Sequence, residues 1–133
     1  MNKITKKDIG KRFFVTPTGN NWCRSKGTTA NEPKEVVLTD MRRTRGEFRF
    51  VGSEFDKEFS ISEHSHTDLS LHLDGGYNSG YHLYSSLEDY ETVEKAKIAK
   101  DFISDSMRLG RFNDIPKKNV IEAAKLLGWV EKV

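Results

Sequence analysis

The chain has 133 residues, 35% of them hydrophobic and 32% charged, with one cysteine and a formal charge of +2. That length normally makes one domain, long enough to bury a core without covalent staples. A single Cys23 excludes an internal disulfide framework and fits a reducing compartment. No apolar run approaches the roughly 18 residues that span a bilayer. The opening MNKITKKDIGKR lacks the apolar core of a signal peptide. The expectation is a cytoplasmic protein with a modest core and a heavily charged surface.

The first element is a strand over Lys11–Pro17, with Phe13 and Val15 on one face. Asn20–Asn31 has the composition of a loop, into which Trp22 and Cys23 are expected to tuck. Lys34–Met41 and Glu47–Val51 predict a hairpin with Phe48 and Phe50 inward and Arg49 outward. Phe55, Phe59 and Ile61 mark a strand after the Gly52-Ser53 turn. Leu69, Leu71 and Leu73 alternate with Ser70 and His72, the cleanest period-two signal in the chain. Asp74–Gly80 reads as a loop and Tyr81–Tyr84 as the last strand. Five or six short strands with turns at this spacing predict a small antiparallel β-barrel or strongly bent sheet, of an SH3-like or KOW-like kind.

Helical periodicity begins at Ser85. Ser85 and Ser86 are N-cap candidates, with Glu88 and Asp89 at capping-box distance. Tyr90, Val93, Ala96, Ala99, Phe102 and Ile103 form an apolar stripe, and Gly110 is a C-terminal stop. A second helix starts at Pro116, with Asn113 or Asp114 near its cap. Val120, Ile121, Ala124 and Leu127 make its apolar face, Gly128 ends it, and Trp129 and Val130 are expected to fold back on the core. The predicted class is α+β: a basic barrel-like region over residues 1–84 and a helical hairpin over 85–133, packed on it as one compact domain.

IGKRFFV, the hairpin ending GEFRFVG, the run EFDKEFSI, the glycine-rich YNSGYHLYSSLEDYE and the helical tail together resemble a family of small phage proteins. The resemblance covers about residues 9–128. It implies a small barrel followed by a helix pair, and an origin in a phage or mobile element. It brings no active site with it. Small phage proteins of this size often modulate host transcription or block host defence, which makes either an expectation here. The Asn20–Asn31 loop and the HSHTD segment depart from the usual spacing.

Positive charge concentrates in the first half of the chain. Residues 1–52 carry 12 Lys+Arg against 5 Asp+Glu, and residues 53–133 carry 10 against 15. Such asymmetry points to nucleic-acid contact. Its centre is the hairpin turn, where Arg42, Arg43, Arg45 and Arg49 fall within eight residues. A two-stranded ribbon can enter a major groove, and arginines clamp phosphates or read guanine edges. Lys6, Lys7, Lys11 and Arg12 could extend that surface along a DNA or RNA backbone. Tyr77, Tyr81 and Trp22 offer stacking platforms for single strands. The competing expectation is a protein inhibitor that turns the same arginines, or the histidine-bearing face, on an acidic site of a host defence or replication protein.

His64, His66, His72 and His82 share one window. HSHTD matches part of the H-x-H-x-D-H pattern of metallo-hydrolases, but Leu69 replaces the last histidine and the chain is too short for that fold. A symmetric DGGYNSG loop pairs Leu73 with Tyr81 and sets His72 opposite His82. Two such imidazoles, with His64 or His66, could share a transition metal. Otherwise they are polar residues on a sheet face. Cys23 reads as packing rather than a nucleophile. No P-loop, dinucleotide fingerprint or paired-carboxylate motif is present, so no enzyme, cofactor, membrane partner or small-molecule ligand is indicated.

Overall fold

A computed structural model describes residues 1–24, 32–62, 68–77 and 79–131. It divides into two compact units, Met1–Glu94 and Lys95–Val133. The first unit is built on six strands: β1 (Arg12–Thr18), β2 (Lys34–Arg42), β3 (Arg45–Phe50), β4 (Asp56–Ser62), β5 (Ser70–Asp74) and β6 (Ser79–Tyr84). They pair antiparallel in chain order, and β6 returns to β1 to close a barrel. Closure gives every strand two neighbours, so the sheet presents no unpaired edge.

Strand parity decides what fills the barrel. Val15 pairs with Leu83, Leu38 with Phe48, and Leu73 with Tyr81, all facing inward. Val15, Val36, Leu38, Phe48 and Leu83 are fully buried, and Phe13, Met41, Phe59, Leu71 and Leu73 pack with them in the core. Phe48 sits among them, edge-on to Phe13 at 6.4 Å and tilted against Phe59 at 6.2 Å. In β2 the inward series runs Val36, Leu38 and then Met41, because the register shifts between Leu38 and Asp40. One extra residue, Thr39, makes a β-bulge there and reverses the parity. Its hydroxyl donates to the Glu47 carbonyl at 3.2 Å.

The outer face of β1 and β6 is also covered. Phe14 pairs with Tyr84 and Thr16 with His82 on that side, and Tyr84 and Thr16 are buried. A short helix, α1 (Gly19–Arg24), packs on both strands, where the Asn21 amide donates to the Gly80 carbonyl at 3.1 Å. The composition of Asn20–Asn31 suggested only a loop. Trp22 on α1 is 53% exposed rather than tucked in, and the Cys23 side chain lies outside the described residues. Phe55 precedes β4 and is 75% exposed, so the strand starts one residue later than its apolar pattern implied.

The N-terminal segment closes one mouth of the barrel. Ile4 is 3% exposed and belongs to the core. The segment behind it is held by a 3-10 turn at Lys6–Asp8, capped reciprocally by Thr5 and Asp8. The Thr5 N–H donates to Asp8 Oδ2 and Lys11 Nζ to Asp8 Oδ1, both at 2.8 Å. The Lys11 ammonium and then the Thr5 amide hold the Asp8 carboxyl below its ordinary pKa.

Helix α2 (Leu87–Arg108) starts where its cap residues said it would. Ser86 Oγ accepts from the Asp89 N–H at 3.1 Å, and Ser85 Oγ donates to the Asp89 carboxylate at 2.7 Å. Tyr90 meets Tyr84 edge-on at 5.5 Å, and Val93 is buried. The stripe then changes character: Ala96, Ala99 and Phe102 are exposed. In the second unit, Gly110 takes φ +67 and opens a 3-10 turn at Arg111–Asn113. Helix α3 (Lys117–Leu126) follows with Pro116 at its N-cap. Its end is a Schellman motif: the Gly128 N–H donates to Lys125 at 3.0 Å and Trp129 to Ala124 at 2.9 Å. Leu127 is exposed, and so are Trp129 and Val130, which were expected to fold back on the core.

Two outcomes test this account. A Cβ at Gly80 would stand 2.5 Å from the Leu73 carbonyl oxygen, a backbone atom that cannot swing away. Gly80→Ala should therefore cost on the order of 2 kcal/mol in urea unfolding; unchanged stability would contradict the strand spacing. Because the folded-state pKa of Asp8 is lowered, its stabilising contribution is present above the ordinary carboxyl value and lost as pH falls below about 4. The Thr5 amide resonance should move in that range in the wild type and stay still in Asp8→Asn.

Candidate functional site

The arginines of the β2–β3 hairpin lie on the outer face of β2, β3 and β4. Register sorts this face into three rows. Val37, Arg49 and Asp56 form one, Asp40, Glu47 and Glu58 the next, and Arg42, Arg45 and Ser60 the third. An acidic row therefore runs between two that carry arginine. Arg49 Nε donates to Asp56 Oδ1 at 2.8 Å, and Arg45 Nε donates to Glu58. Arg42 lies 3.5 Å from Asp40. Arg12 and Lys11 are held likewise, by Glu35 at 2.9 Å and Asp8 at 2.8 Å.

These pairs are solvent-exposed, so each stabilises by less than about 1 kcal/mol. Their larger effect is on the potential. Arg42, Arg45 and Arg49 share this face with four carboxylates at 40, 47, 56 and 58, so their charge is cancelled there. Counting by unit removes the half-chain asymmetry as well: Met1–Glu94 has 13 Lys+Arg against 15 Asp+Glu, and Lys95–Val133 has 9 against 5. The missed signal was in plain view. Once β4 is placed beside β3, Asp56 and Glu58 must fall near Arg49 and Arg45.

Arg43 is the exception. It forms the two-residue hairpin turn with Thr44, takes φ +39, and has no carboxylate partner among the described residues. It lines a cleft of about 250 Å³ with Lys3, Ile4, Met41, Ile61 and Leu71 at that mouth of the barrel. Nothing in the sequence marked Ile4 as the residue beside it.

The other mouth is aromatic. Tyr81 lies 5.4 Å from Phe50 and edge-on to Phe59 at 5.7 Å, while Lys57 Nζ sits 5.4 Å from the Phe50 ring centre. Two open clefts of about 670 and 500 Å³ meet at Lys57 and Tyr81. Lys34 borders the first and Tyr77, 96% exposed, the second. Of the expected stacking residues, Tyr77 and Trp22 are at the surface and Tyr81 is half-buried.

His72 and His82 stand opposite each other as the symmetric loop predicted, with Leu73 opposite Tyr81. Their ring centres are 6.0 Å apart on the outer face of the sheet. His64 and His66 lie outside the described residues. Among the described residues no set of three or more His, Cys, Asp or Glu is placed to hold a metal. No helix among them is long and apolar enough to cross a membrane. No family model, curated protein or solved structure matches the chain.

The neutralisation of the hairpin has a direct consequence. Asp56→Asn with Glu58→Gln should release two arginines and raise the salt needed to elute the protein from a heparin column. An unchanged elution position would show that these carboxylates do not set the potential of the face.

Proposed function

We propose that this protein acts by protein–protein contact, with the helical unit Lys95–Val133 meeting an acidic, partly apolar surface of a partner. The observation that carries the reading is exposed apolar area on a basic unit. Ile98, Phe102, Met107, Leu126, Leu127 and Trp129 are all exposed, on a segment with an excess of four positive charges. Six large apolar side chains exposed on so small a unit favour an interaction site over a solvated face. The charge selects among occupants. A second copy would set one positive unit against another, whereas an acidic partner satisfies both the charge and the apolar contact. The sequence resemblance to small phage proteins supplies the setting: a host protein as partner, with inhibition of defence or replication as the result.

Binding of single-stranded nucleic acid is the second reading. Its support is Tyr77 and Trp22 exposed at the surface, and the lysines Lys34 and Lys57 beside the aromatic mouth. The hairpin arginines add little to it, because their carboxylate neighbours cancel the field a phosphate backbone needs.

Affinity capture from host lysate separates the two. The full chain should retain a protein after nuclease treatment and lose it in the double variant Phe102→Asp, Leu127→Asp, both positions being exposed. Recovery that disappears with nuclease would replace this reading with the nucleic-acid one. Recovery indifferent to the double variant would remove the helical unit from the interface.

A further inference from the structure

The cleft beside Arg43 combines an apolar floor with a rim of cations unpartnered among the described residues. Its floor is apolar: Ile4, Met41 and Leu71 belong to the core, and Ile61 packs against it. Its rim carries two cations, Lys3 and Arg43, and neither has a carboxylate partner among the described residues, whereas Arg12, Arg42, Arg45 and Arg49 all do. Arg43 also holds φ +39 in a tight hairpin turn, where glycine, asparagine or aspartate is the usual occupant. An arginine there is not explained by the turn.

The volume, about 250 Å³, is below the range of drug-sized pockets. It suits one branched aliphatic group with a small polar head. The floor would remove the aliphatic part from water. Arg43, whose planar fork matches a carboxylate, and Lys3 would take the negative charge at the rim.

We propose that this cleft binds an aliphatic carboxylate, with the C-terminal residue of a polypeptide ending in a leucine-like side chain as its source. A free branched-chain acid shares the chemistry, and the experiment distinguishes the two. The proposal is independent of the helical-unit interface, since the residues of one do not enter the other, so either can fail alone.

The test is a titration of the full chain followed by the methyl resonances of Ile4, Met41, Ile61 and Leu71. N-acetyl-leucine should shift them saturably, and N-acetyl-leucinamide, which lacks the carboxylate, should bind about tenfold more weakly. Tighter binding of N-acetyl-leucine than of isovalerate assigns the site to a chain terminus; equal binding assigns it to the free acid and overturns the peptide source. Arg43→Gly keeps the turn, because glycine adopts positive φ freely, and should weaken N-acetyl-leucine about tenfold. Lys3→Gln should weaken it in the same direction. Methyls that stay still at millimolar probe, or that respond equally to the amide or in Arg43→Gly, would overturn the proposal.

Discussion

Closure of the barrel by the β1–β6 pairing is the constraint from which most of this structure follows. A closed sheet has a fixed inside and outside, so every strand must present apolar side chains on one parity only. Six strands leave a narrow interior, filled by Val15, Val36, Leu38, Phe48, Leu73 and Leu83. Where the pattern of β2 falls out of step, the chain inserts Thr39 and restores the inward parity at Met41. Gly46 sits opposite Met41 because Phe48, Ile61 and Leu38 already crowd that point, the nearest at 2.9 Å from where a Cβ would stand. The same closure leaves two mouths, and the side chains that cover them are the ones with surface chemistry to offer.

The outer face of β2, β3 and β4 shows why a cluster of like charges in sequence says little about the field it makes. Strand neighbours are set by pairing, not by order along the chain, so Arg45 and Arg49 meet Glu58 and Asp56 at close range. Opposite charges across strands stabilise the sheet modestly. Arg42 and Arg45 stand directly opposite each other in register, an arrangement tolerable only because Asp40 and Glu58 lie beside them. The arginine-rich turn is thus first a sheet-stabilising mesh. What is left over is a single cation at its tip.

Much of the architecture was legible because local rules and global packing agreed. The glycine-rich loop between β5 and β6 set Leu73 against Tyr81, and with it His72 against His82. Ser86, Gly110 and Gly128 mark helix ends through their own backbone and side-chain chemistry. Elements without such signals were not readable. Helix α1 consists of GNNWCR, in which every residue before Arg24 is a mediocre or poor helix former, and it takes the form while packed on β1 and β6. Ile4 is one apolar residue in a polar segment, and only the open mouth it fills gives it meaning. Trp129 and Val130 were expected inside because large apolar residues at a helix end usually are; their exposure is a property of the surface, not of the pattern.

Charge counted along the sequence and charge counted by folded unit lead to opposite partners. By halves, the N-terminal part is strongly positive and invites a phosphate backbone. By units, the barrel carries a slight negative excess and the helical segment a positive one. The division differs because residues 53–94 bring ten carboxylates into the first unit against one lysine. Long-range attraction depends on charges within roughly a Debye length, about 8 Å at physiological salt, and so on neighbours in space. The count by units is therefore the one a partner would sense. It moves the weight of the functional argument from the hairpin to the basic, apolar helices, and leaves Arg43 as the arginine whose charge is still available.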